Sequence, residues 1–101
     1  MNTLTLDLAN VKTEEEFHDL ASSVFEFPHY YGRNLDAFWD CITEIFDPTN
    51  VRVLHLESLS EDIRPTIERY IYLLQEYATQ RKEKFSVDLI DNFPIHDSPP
   101  S

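Results

Sequence analysis

Asp36 and Asp40 stand four residues apart. On a helix that spacing brings both carboxylates to one flank. Asp36 follows Leu35 and Asp40 follows Trp39, two members of the apolar series Leu35, Phe38, Trp39 and Ile42. One residue is about 100° of helical turn, so the pair lies beside a buried stripe and not within it. Three kinds of chemistry are open to such a pair. Near a helix N-terminus Asp36 can simply complement the dipole, and Asp40 can be part of a solvated face. Two adjacent carboxylates can also receive the cationic groups of a partner, above all the guanidinium fork. An acid/base pair would need an apolar pocket to drive the two pKa values apart, and a polar helix flank supplies none.

The remaining inventory is thin. The histidines are His18, His29, His55 and His96, with no HExxH and no pair at helical spacing. His55 and Glu57 would share one face of an expected strand, but two ligands are too few for a zinc site. Cys41 falls inside the expected second helix with no basic residue next to it, which suits a small core residue better than an activated thiolate. There is no GxSxG elbow, and a single glycine, Gly32, excludes GxGxxG and GxxxxGK[ST] phosphate loops. No catalytic residue, metal or cofactor is expected.

The elements that must position Asp36 and Asp40 follow from periodicity. Leu4, Leu6 and Leu8 alternate with Thr5 and Asp7 as in a strand. Thr13-Glu14-Glu15-Glu16 reads as a capping box, followed by a helical stripe of Phe17, Leu20, Ala21 and Val24. Phe27-Pro28 stops that helix. His29 to Arg33 is a loop in which Gly32 takes a positive φ or lets a backbone come close. Asn34 caps the second helix, and Asp47-Pro48-Thr49-Asn50 ends it. Val51 to Glu57 reads as a strand with apolar residues on both faces, hence central and covered. Ser58 to Ile63 can form a helical turn. Pro65 opens a long helix burying Ile67, Ile71, Leu74 and Ala78, flanked by Tyr70, Leu73 and Tyr77. Phe85 to Ile90 is a last strand. The expectation is a small α/β domain over residues 1–91, a three-stranded parallel sheet with about four helices. Residues 92–101, rich in proline, are expected to form a mobile tail.

The chain has 101 residues, enough for one core. It carries 19 acidic and 8 basic residues, a net charge of −11. That balance argues against nucleic acid and against an anionic membrane surface as partners. The excess is uneven: thirteen acids face three bases from Met1 to Ile63, and six face five from Arg64 onward. Such asymmetry suits the steering of a basic partner, and it also serves solubility. No apolar stretch is long enough to span a bilayer. The segment Met1–Asp7 lacks a positive region before an apolar one, and the lone cysteine demands no oxidising compartment, so a cytoplasmic protein is expected.

The string Tyr30-Tyr31-Gly32-Arg33-Asn34-Leu35-Asp36-Ala37-Phe38-Trp39-Asp40-Cys41-Ile42-Thr43 resembles the signature of the barstar family, intracellular inhibitors of barnase-type ribonucleases. The resemblance is sharp from Leu20 to Ile45. It implies the same three-stranded parallel sheet and a protein that lays its second helix and preceding loop across a ribonuclease active site. Asp40 would then occupy the substrate-phosphate position, with Asp36 pairing a second basic group. Tyr30, Tyr31, Gly32, Asn34, Trp39 and Thr43 would complete the contact, although periodicity also gives Trp39 a partly buried place. The family uses an acid on the long helix, for which Glu76 is the better match and Glu68 the weaker. Two positions depart from the pattern. Arg33 puts a positive charge where the barstar pattern has an acid, and Ile45 replaces an aromatic, with Phe46 adjacent.

The expected function is therefore inhibition of a basic ribonuclease or ribonuclease toxin by a protein that is monomeric when free and forms a heterodimer with its target. The departures keep open an alternative, a barstar-fold immunity or regulatory module for a different basic protein.

Overall fold

A computed structural model describes residues 1–90 of the chain. Its elements run β1 (Asn2–Asp7), α1 (Glu14–Phe25), α2 (Leu35–Ile42), β2 (Thr49–Leu54), a 3-10 turn (Leu56–Ser58), α3 (Arg64–Gln80) and β3 (Phe85–Ile90). The strands form one sheet in the order β1-β2-β3, both pairings parallel. Leu6 pairs with Val53, and Val53 with Leu89. Parallel strands need a crossover connection, and the one from β1 to β2 carries both α1 and α2. The expected proline-rich tail lies outside the described residues.

One layer of helices covers one face of the sheet. Thr49, Val51 and Val53 of β2 are buried, whereas Asn50, Arg52 and Leu54 are not. That alternation corrects the expectation of a strand covered on both faces. The open face is made tolerable by polar side chains: Asn50 Nδ2 donates to Ser86 Oγ at 2.8 Å and to Asp88 Oδ2 at 3.1 Å. The strand is also shorter than the alternation suggests. His55 turns to φ 63°, a left-handed conformation that ends β2, and Glu57 falls in the 3-10 turn. His55 and Glu57 therefore share no strand face. Instead His55 Nδ1 meets Asp7 Oδ1 at 2.8 Å, tying together the carboxyl ends of β1 and β2. The Ala9 amide and then His55 hold the Asp7 carboxyl below its ordinary range.

Among the described residues there are three α-helices and one 3-10 turn, where about four helices are expected. The segment before α3 is too short for its own helix, because the Arg64 amide already bonds the Ser60 carbonyl at 2.9 Å and Pro65 opens α3 directly. In α1 the Thr13 hydroxyl accepts from the Glu16 amide at 3.1 Å, while Glu16 Oε1 accepts from the Lys12 amide at 2.7 Å. The capping box is thus present with its second bond shifted one residue outward. The helix ends at Phe25, with Glu26 in a left-handed cap at φ 57°. Phe17, Ala21 and Phe25 form its buried face, and His18 is buried with them. In α3 the tyrosines expected at the flank, Tyr70 and Tyr77, are in the core, and Ala78 is only half-buried. Both hydroxyls find partners, which is the condition for burying a tyrosine: Tyr70 donates to Glu14 Oε2 at 3.0 Å, and Tyr77 to the Ile45 carbonyl at 2.8 Å.

Candidate protein-binding surface

The site is a short helix and the loop that leads into it. Eight residues make a helix too short to persist alone, so α2 depends on its cap and on packing. Asn34 supplies the cap: its Oδ1 accepts from the Ala37 amide at 2.8 Å, and its Nδ2 donates to the Gly32 carbonyl at 3.3 Å. Phe38 and Ile42 are fully buried and fix the helix rotation. Trp39 is half-buried, edge-on to Tyr77 at 6.2 Å, which agrees with its partly buried reading. With that rotation set, Asp36 and Asp40 point outward from one flank, and both are exposed. At the other end the Thr43 hydroxyl donates to the Trp39 carbonyl at 2.7 Å, so Thr43 finishes the helix with its side chain folded onto the backbone.

The loop is set from behind. Tyr31 is buried, and its hydroxyl meets Nδ1 of buried His18 at 2.9 Å. Nε2 of the same ring lies 3.3 Å from the Tyr70 hydroxyl and 3.4 Å from Glu14 Oε2. The network joins the loop to α1 and α3. Burial pushes the Tyr31 hydroxyl far above its ordinary value, and burial together with the Glu14 carboxylate pushes Tyr70 up to about 12. Tyr31 therefore stands inside the molecule and not on the surface a partner would touch. Its neighbour Tyr30 is 78% exposed, edge-on to His29 at 5.7 Å. The sequence offered one clue to this network: His18 directly follows Phe17, the first residue of the α1 core stripe.

Arg33, and not Gly32, takes the left-handed conformation, at φ 57°. Space at Gly32 is tight, since a Cβ there would lie 3.1 Å from the Ala37 Cβ. The Arg33 guanidinium turns back to α1. It is in contact with the Glu15 carboxylate, donates to Asp19 Oδ1 at 2.9 Å and donates to the Glu15 carbonyl at 3.0 Å. Hydrogen bonds to Asp19 and Glu15 raise its pKa further. The positive charge that departs from the family pattern is thus satisfied within the molecule.

Glu76 faces α2 across a groove of about 770 Å³ between α2 and α3, which Asp36, Trp39 and Glu68 also line. Asp40 lies outside that groove. The ion pairs among the described residues are His18–Glu14, Arg33–Glu15, Arg33–Asp19 and His55–Asp7, so Asp36, Asp40, Glu68 and Glu76 all lack one. Ile45 is half-buried, and Phe46 beside it is exposed with the Arg81 guanidinium 5.7 Å above its ring. Cys41 is half-buried, and burial, with Glu44 and Asp40 nearby, raises its thiol pKa, the opposite of nucleophile activation. Among the described residues no group of three or more His, Cys, Asp or Glu side chains could hold a metal ion, and no helix is long and apolar enough to cross a membrane.

The chain thus folds as a parallel three-stranded sheet under one helical layer, carrying a capped helix with two exposed aspartates behind a buttressed loop. The family model described as Barstar (barnase inhibitor) matches residues 1–90, and the chain belongs to the barstar family. It is also similar to a Bacillus subtilis (strain 168) protein named "Putative ribonuclease inhibitor YrdF". The two are 30% identical over 88 residues, which cover 86% of this chain and 97% of that protein.

Proposed function

We propose that the protein is a cytoplasmic inhibitor of a basic, barnase-type ribonuclease or ribonuclease toxin, and that it works by occluding the enzyme's catalytic cleft with α2 and the loop before it. The observation that carries this reading is the pair Asp36 and Asp40, exposed on one flank of a helix whose cap, rotation and preceding loop are fixed from inside. A ribonuclease cleft must hold cations to bind RNA phosphates. A carboxylate presents two oxygens to a guanidinium much as a phosphate does. In this reading Asp40 takes the phosphate position and Asp36 a flanking cation. Glu76 closes the contact from α3, with Tyr30, Gly32, Asn34, Trp39 and Thr43 forming or shaping the contact surface. Tyr31 acts from behind, as a positioning residue.

Pre-organisation is the second support. The loop and helix are already ordered by the His18 network, the Asn34 cap and the Arg33 clamp, so little conformational entropy remains to be lost on docking. No cofactor takes part, and the protein is a binder, not a catalyst. Titrating a basic ribonuclease of this class with the protein should abolish RNA cleavage at one equivalent. A basic partner captured without ribonuclease activity would move the reading to the alternative, an immunity or regulatory module. Residual cleavage at many equivalents would end it.

A further inference from the structure

The groove between α2 and α3 extends well past the contact proposed above. On α3 its lining runs from Glu76 back through Tyr72 to Glu68, one helical turn at each step. At 1.5 Å per residue, Glu68 and Glu76 stand roughly 12 Å apart along the axis. Tyr72 lies between them and is 60% exposed, one of the few large apolar side chains the fold leaves outside. Leu35, Trp39, Pro65 and Leu73 give the groove apolar walls. Three carboxylates, Asp36, Glu68 and Glu76, share its lining with a single cation, Arg69.

We infer that Glu68 and Tyr72 form a second contact for the same ribonuclease, receiving a basic segment that lies outside its catalytic cleft. This rests on the inhibitor reading above. Asp36 belongs both to the α2 flank and to the groove wall, so a protein seated on α2 already covers one side of the groove. Size points the same way. A helix of eight residues is only about 12 Å long, whereas a specific interface of ordinary size buries about 800 Å² per partner. The contact spreads beyond α2 onto its neighbours, and the groove is the concave surface adjoining it. Its chemistry selects the occupant. Lysine and arginine stems pack along Tyr72 and Trp39, a guanidinium stacks on an aromatic face, and the head group pairs with Glu68. A second copy of this chain would bring acid against acid.

The test measures binding kinetics of the wild type, Glu68→Gln, Tyr72→Ala and Asp40→Ala with barnase and a panel of other basic ribonucleases. Both α3 positions are exposed, and thermal unfolding checks that the variants remain folded. Tyr72→Ala should raise Kd about tenfold, mostly through faster dissociation, and Glu68→Gln about threefold. If both stay within twofold of wild type while Asp40→Ala loses most of its affinity, the inference fails and the inhibitor reading stands. If the wild type binds none of the enzymes, both fail together.

Discussion

Removing the Tyr31 hydroxyl should cost the fold more than its small size suggests. His18 is 2% exposed, and in Tyr31→Phe its Nδ1 loses the partner it has at 2.9 Å. An unsatisfied buried polar atom costs about 1–3 kcal/mol, which a denaturant titration reads as a lower midpoint with an unchanged slope. Arg33 gives a sharper test of how this chain departs from its family. Arg33→Glu restores the acid of the family pattern but sets it against Glu15 and Asp19. Thermal unfolding should then come at a lower temperature, and affinity should show no gain. A tighter complex from that variant would show that the guanidinium obstructs the partner and does not serve as an internal clamp.

At the scale of the element, α2 is the weak point on which the site depends. Asn34→Ala removes its cap, at a cost of about 1 kcal/mol, and affinity should fall along with stability because the helix carries both aspartates. Circular dichroism and inhibition titrations on the same variant check this. The cap, the apolar stripe and the outward flank of α2 were all legible, since each depends on neighbours within one or two helical turns. The His18–Tyr31–Tyr70–Glu14 network was not, because its members are brought together only by tertiary packing. Neither a positive φ nor a close backbone explains Gly32: the left-handed turn falls on Arg33 one residue later, and the tight neighbour is the Ala37 Cβ. The end of β2 departs from the sequence pattern for a similar reason. Alternation through Glu57 looks like strand, but His55 leaves the sheet to meet Asp7 across the β1–β2 pair.

For the whole molecule, two properties follow from the arrangement of charge and burial. Tyr70 holds its proton up to about 12 in the folded state. An unfolded tyrosine releases it near pH 10. The stabilisation is complete below that pH and is lost as the pH rises from about 10 to 12. Tyr31 shifts in the same direction. Melting temperature should therefore fall steeply across that window, and Tyr70→Phe should flatten the fall. The second property is the acidic bias of the N-terminal two thirds, which carry α2 and the loop before it. If long-range attraction steers the complex together, association slows as salt rises while dissociation changes little.

In the proposed complex the charge on Asp40, more than its shape, fills the enzyme's phosphate site. Asp40→Asn keeps the shape and removes the charge. Breaking one side of a desolvated ion pair costs about 3–5 kcal/mol, which is on the order of a hundredfold or more in affinity. Measuring Kd of Asp40→Asn and wild type against a ribonuclease that the wild type inhibits decides the matter. A loss of that size with thermal stability unchanged is the predicted result. An affinity within a few-fold of wild type would contradict it.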